Sequence, residues 1–215
     1  MSTEFDLFDS NYNAVLSAPS YTEFCVKLAA YNCQKCPRGR ARSRIVIDRG
    51  NPDSDILIIS ERPGDNEDAL GKAFVGRSGE LLDKIMAGIG LDTNCDMLIV
   101  NVVKCKAELD RAPTAAEADA CLPYLRRQIE LMRPKIILLL GAVALKFLVK
   151  ERGDEFSMEK EAGRFFAVSE YPGVQFMVLY HPAFLLRDPT KKAVMWEHVK
   201  KLRALLAERG WGKRK

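Results

Sequence analysis

The sequence predicts an α/β protein, a three-layer α/β/α sandwich around a central sheet of four strands, mostly parallel. Four short apolar runs are the first sign: Ile56–Ser60, Met97–Val100, Lys135–Leu140 and Phe176–Tyr180. Each is continuous rather than alternating, as expected of strands covered by helices on both faces. The segments between them carry apolar stripes at helical spacing. Hydrophobic residues make up 47% of the 215, enough for a real core.

In chain order, residues 1–20 are polar and turn-rich and read as a flexible arm, leaving a single domain over 21–215. A short helix is expected over 21–31, ahead of the Cys33–Cys36 pair. After the first strand, Leu81, Leu82, Ile85, Met86 and Ile89 mark a helix face. Thr114 followed by Glu117 forms a capping box, and Ala118, Cys121, Leu122, Leu125 and Ile129 mark the core side of the helix it opens. Gly141 closes the third strand, with a helix over Ala142–Val149 and an extra hairpin strand within Gly163–Tyr171. The last helix runs from about Ala193 to Glu208, its apolar stripe being Met195, Val199, Leu202 and Leu206; His198 on it reads as a surface residue. Sheets of this kind bind ligands beyond the carboxyl ends of their strands. Those ends carry Ser60-Glu61-Arg62-Pro63-Gly64, Asn101, Gly141 and His181-Pro182.

Lys and Arg total 33 against 29 Asp and Glu, a net +4. The charge is unevenly placed. Lys35–Arg49 and Lys200–Lys215 are basic, and Asp53–Asp68 is acidic. That placement suits a polyanion met at an acid-bearing site; solvated surface runs account for it equally well. The first twenty residues carry Glu4, Asp6 and Asp9 and no signal pattern, and no run approaches a membrane span. A cytoplasmic protein with reduced cysteines is expected. Cys33-x2-Cys36 places two thiols on one turn, a metal or iron–sulfur spacing. A loop could bring Cys105 and Cys121 to them, clipping the N-terminal segment to the sheet domain. Spacing alone does not separate zinc from a 4Fe–4S cluster, or exclude buried core cysteines. Cys25 and Cys95 read as small hydrophobes.

Four features stand in register: Ser60–Asp68 with Gly71–Gly79, Asn101-Val102-Val103-Lys104-Cys105, His181–Arg187, and the spacing of Cys33, Cys36, Cys105 and Cys121. Together they closely resemble family 4 uracil-DNA glycosylases, the iron–sulfur type, from about Ala30 to Leu206. The resemblance implies a 4Fe–4S cluster on the four cysteines and removal of uracil from DNA. A base inside DNA must be flipped into a pocket. Phe74 is then the stacking face, and Asn101 the amide that reads the Watson–Crick edge. His181 would hydrogen-bond the uracil anion as the bond breaks. Glu61 and Glu67 would position water and stabilise the sugar cation. No lysine in these motifs suggests a Schiff base, so a monofunctional enzyme is expected. Leu185, Leu186 and Arg187 would form the DNA wedge and its phosphate contact, helped by Lys191 and Lys192. DNA is the implied partner, and the protein a monomer.

The chain departs from that family at several points. Ser60 stands for a usual Gly, and Arg62 for a small residue. Ala73 stands for Pro, Glu108-Leu109 for a proline-rich stretch, and Phe184 where Tyr is common. Arg62 has three roles open to it: pairing with Glu61, holding a flanking phosphate, or touching the flipped base. Ser60 and Arg62 motivate an alternative, a catalytically weak or altered-specificity DNA-binding or damage-sensing member of the superfamily. An iron–sulfur redox protein would leave Phe74, Asn101 and the wedge idle.

Overall fold

The structure is a computed structural model and describes residues 9–149 and 156–212. The first eight residues of the expected arm and Lys213–Lys215 of the basic tail lie outside that range.

The first part of the chain forms α1 (Ser10–Leu16), α2 (Tyr21–Tyr31), α3 (Arg38–Ala41) and β1 (Arg49–Gly50). Then come β2 (Ile56–Ser60), α4 (Asp65–Leu70), α5 (Arg77–Ala87), β3 (Met97–Asn101) and α6 (Ala115–Met132). β4 (Ile136–Leu140), α7 (Ala142–Leu148), α8 (Met158–Glu161) and β5 (Phe165–Ala167) follow. The chain closes with β6 (Gln175–Leu179), α9 (Pro182–Arg187) and α10 (Lys192–Arg209).

The sheet corrects the four-stranded expectation. Among the described residues it has six strands, in the order β1-β3-β2-β4-β6-β5. β3, β2, β4 and β6 are parallel neighbours, with Ile58 level with Ile99 and Leu138. β1 and β5 add antiparallel edges. Successive strand residues face opposite sides. Leu57, Ile59, Val100, Leu139 and Val178 pack with α1, α2, α6 and α7 on one face. Ile56, Ile58, Ile99, Leu138 and Met177 pack with α5, α9 and α10 on the other. Two cores, one per face, make the layered sandwich.

The expected arm is also corrected. From Ser10 it is helical, capped by Asp9, whose carboxylate accepts the Tyr12 N–H at 3.0 Å. Tyr12, Val15 and Ala18 are buried, so the segment is part of the core. The Thr114–Glu117 capping box forms as expected, with both reciprocal hydrogen bonds. Glu117 does more. The Arg38 side chain, 1% exposed, donates from Nε to Glu117 Oε2 at 2.9 Å and from Nη1 to the Cys105 carbonyl at 3.3 Å. This buried pair ties the Cys33–Cys36 segment to α6. Arg38, read as part of a basic surface run, is internal structure.

Candidate active site

Four strand ends converge on a cleft of about 370 Å³, lined by Glu61, Arg62, Glu67, Phe74, Asn101 and His181, with Gly141 and Phe184 at its wall. The parallel strands deliver these residues because each run of apolar side chains ends at the same level: Ser60 lies opposite Asn101 in the register.

Asn101 is 1% exposed, and both Oδ1 and Nδ2 lack a partner among the described residues. A buried amide left so is costly, about 1–3 kcal/mol for each unsatisfied group. Its backbone is fixed from behind, where Lys104 Nζ donates to the Asn101 carbonyl at 2.6 Å.

His181 accepts the Ala183 N–H at Nδ1, 3.0 Å away, and so caps α9. A ring nitrogen that accepts does not carry the proton, so the neutral ring has its hydrogen on Nε2. Nε2 lies 2.9 Å from Ser60 Oγ. Burial, then the positive charges of Arg187 and Arg62, hold the His181 pKa down to about 4. The ring is a neutral donor. Ser60 is fully buried, and its hydroxyl meets this ring.

Phe74 has a left-handed backbone, φ 54°, an unusual conformation for a bulky residue. The surroundings impose it. Arg49 Nη1 donates to the Phe74 carbonyl at 2.7 Å, and Arg49 is itself held by Asp83 and by Thr93 Oγ1 at 2.9 Å. A Cβ on Gly79 would collide with the same carbonyl. The ring ends 5.8 Å from that of His181, so two rings share one wall. Arg49 carries no local sign of this role, because its partners lie 25 to 44 residues away.

The two glutamates diverge. Glu67 Oε1 accepts the N–H groups of Val75 and Gly76 at 2.8 and 2.9 Å, and Oε2 accepts that of Gly64 at 3.1 Å. It braces the loop that carries Phe74. Glu61 is one-quarter exposed, and its Oε1 lies 3.8 Å from Arg62 Nε. Arg62 also donates to the Pro63 carbonyl at 3.1 Å.

The wedge segment is corrected as well. Pro182–Arg187 is a short helix, and helical phase splits the two leucines. Leu185 is fully buried in the core, while Leu186 is 37% exposed. Leu185 is therefore a core residue in this structure. Arg187 lines the cleft. His198 is also corrected: it is buried and stacks on Tyr180 at 5.9 Å. Lys72 and Lys104 do fall within the motif segments, but neither lines the cleft.

Cys33, Cys36, Cys105 and Cys121 line one small cavity, together with Lys104 and Tyr124. Donors point at three of the sulfurs: the Lys104 N–H at Cys121, Tyr124 Oη at Cys33, both at 3.3 Å, and Arg42 Nη1 at Cys105, 3.6 Å away. Among the described residues no three His, Cys, Asp or Glu are arranged as the ligands of a metal ion. Cys95 is exposed, and Cys25 donates to Asp48 Oδ2 at 3.4 Å, so neither is a plain core hydrophobe.

The uracil DNA glycosylase superfamily model matches residues 47–203. A type-4 uracil-DNA glycosylase of Saccharolobus solfataricus is 39% identical over 181 residues, 82% of this chain and 83% of that protein. One from Sulfurisphaera tokodaii is 37% identical over 184 residues, 84% and 83% of the two chains. One from Thermotoga maritima is 34% identical over 180 residues, 83% and 91%. A cleft built from strand ends and a match along most of each chain agree, and the protein belongs to the type-4 uracil-DNA glycosylases of that superfamily.

Proposed function

We propose that the protein excises uracil from DNA, hydrolysing the N-glycosidic bond and leaving an abasic site. The unpartnered Asn101 amide carries the reading. Oδ1 accepts the uracil N3–H, and Nδ2 donates to O4, so one side chain matches the edge. Phe74 covers the base face. As the bond lengthens, negative charge builds on uracil, and the neutral His181 turns its Nε2–H from Ser60 to that charge. Glu61, at the mouth, orients water and offsets the sugar cation. Glu67 is assigned a bracing role, because three backbone donors occupy its oxygens. Arg62, beside Glu61, tempers that carboxylate. With neither lysine of the motifs on the cleft, the enzyme is monofunctional.

The donor set of the four-thiol cavity supports an iron–sulfur cluster, a larger group than the single metal ion for which these residues are not arranged. All four donors are thiols, the softest ligand set proteins offer. Burial pulls the Lys104 pKa down to about 8, and Cys121 is the first charge partner that opposes this, ahead of Asp48; an anionic group beside it would hold the ammonium charged. Cys33, Cys36, Cys105 and Cys121 would hold a 4Fe–4S cluster. When bound it supplies cross-linking rather than electrons, adding to the Arg38–Glu117 tie. The proposal extends to a monomer working inside the cell on DNA.

A uracil oligonucleotide tests the reaction. Expected is a strand that stays intact until alkali cleaves it at the former uracil. An intact alkali-treated strand at excess protein overturns the reading, and cleavage without alkali overturns the monofunctional part. Anaerobically purified protein should absorb near 400 nm and carry about four irons per chain; colourless protein with stoichiometric zinc overturns the cluster.

A further inference from the structure

A second, larger hollow of about 760 Å³ runs along the β1 edge of the sheet. Arg42, Arg44, Arg49 and Lys72 line it, with Asp48 as the acidic residue and Asn94 at the far end. The charges are not equivalent. Arg42 is spent on the Cys33 and Gly39 carbonyls at 2.8 and 3.0 Å, and Arg49 on Asp83. Asp48 is also occupied, accepting from Tyr21 Oη at 2.8 Å and from Cys25. Arg44 and Lys72 are exposed, and no ion pair engages either among the described residues. The Arg44 stem lies against Gly71, so the two cations flank one short stretch of chain.

That stretch is the back of the active-site loop. Gly71 and Lys72 face the hollow, while Glu67 and Phe74, from the same loop, face the cleft. Asp68 fixes the two sides together: its carboxylate accepts the Ser43 N–H at 2.9 Å and that of Arg44 at 3.4 Å. A polyanion lying in the hollow is thus held at a set position relative to the cleft.

We infer that the Arg44–Lys72 hollow is a phosphate track for the DNA strand flanking the base in the cleft. The inference rests on the uracil-excising reading of that cleft and adds a site to it. Two cations without an ion pair among the described residues, beside a groove that reaches from the loop to Asn94, suit successive phosphodiesters of an extended strand. Such contacts position without reading sequence. They also make binding salt-dependent through counterion release, with a slope of about 0.7 per phosphate on single strands.

The test uses the full protein and single-stranded uracil oligonucleotides, measuring Kd against salt. Arg44→Ala and Lys72→Ala should each lower the log–log slope by about 0.7, with the single-turnover rate at saturating protein unchanged. Arg203→Ala, an exposed cation on α10 against the other face, should leave the slope as it is. Trimming the flank on one side of the uracil should erase the difference between wild type and the two groove variants; trimming the other side should preserve it. Unchanged slopes in Arg44→Ala and Lys72→Ala, or a loss that survives trimming of either flank, overturn the track. Wild-type protein that excises no uracil overturns the underlying reading instead, so the two failures are distinct.

Discussion

Asn101→Ala bears most directly on base recognition. In the structure Asn101 is 1% exposed and both its side-chain polar atoms are unpaired. Uracil satisfies them together. A matched donor–acceptor pair to a base edge discriminates by about 1–3 kcal/mol. At about 1.4 kcal/mol per factor of ten, kcat/KM on a uracil oligonucleotide should fall about 5- to 150-fold. Stability should move the other way or not at all. Truncation removes a buried amide that the free protein does not satisfy, a relief of about 1–3 kcal/mol per group, set against the cavity it leaves. The assay is single-turnover excision beside thermal unfolding. Activity within about threefold of wild type, or a loss matched by a large drop in melting temperature, refutes the assignment, since the first shows an idle side chain and the second a structural one.

His181 should not set an acid limb near its ordinary pKa. Burial holds it down to about 4, so the neutral donor persists from pH 8 to about 5; a limb near 6.5 in wild type that vanishes in His181→Asn contradicts this. The sign for stability is the reverse of that for a histidine in an ion pair. Between about 6.5 and 4 the unfolded chain binds a proton that the folded site refuses, so stability contributed here is full above 6.5 and declines as pH falls through that window. Arg49→Ala should release the left-handed Phe74, a conformation worth about 1–2 kcal/mol of strain, raising KM for uracil DNA more than it lowers kcat. A KM left unchanged beside a lower kcat and a lower melting temperature contradicts a positioning role. Leu186→Ala should slow excision from duplex more than from single strands, while Leu185→Ala should cost about 2–5 kcal/mol of stability on either substrate. Denaturant unfolding and paired kinetics read both.

The central strands were legible because their signal is local. Ile56–Ile59 and Ile136–Leu140 are apolar at every position, and burial on two faces is the arrangement that demands it. β1 was not legible: Arg49–Gly50 is two residues long and exists through its pairing with Ile99 and Leu98. α1 looked like an arm because its polar residues dominate, and packing against the rest of the fold buries Tyr12 and Val15. In the site, strand ends showed where chemistry would gather, and Asn101, Phe74 and His181 do meet there. Roles were harder to read than places. Glu61 and Glu67 seemed alike until backbone geometry gave Glu67 three N–H donors and left Glu61 beside Arg62. Adjacent leucines seemed alike until helical phase buried Leu185. Lys104 and Arg49 act through carbonyls, contacts that leave no residue pattern behind.

The account stands most directly on the base that leaves. Wild-type protein incubated with an oligonucleotide carrying a single uracil should release free uracil, identified by mass, in a one-to-one ratio with abasic sites, and release no base from the cytosine counterpart. Protein in excess over that oligonucleotide releasing no uracil, with the substrate bound and intact, would contradict the account and leave a binding protein in the place of an enzyme.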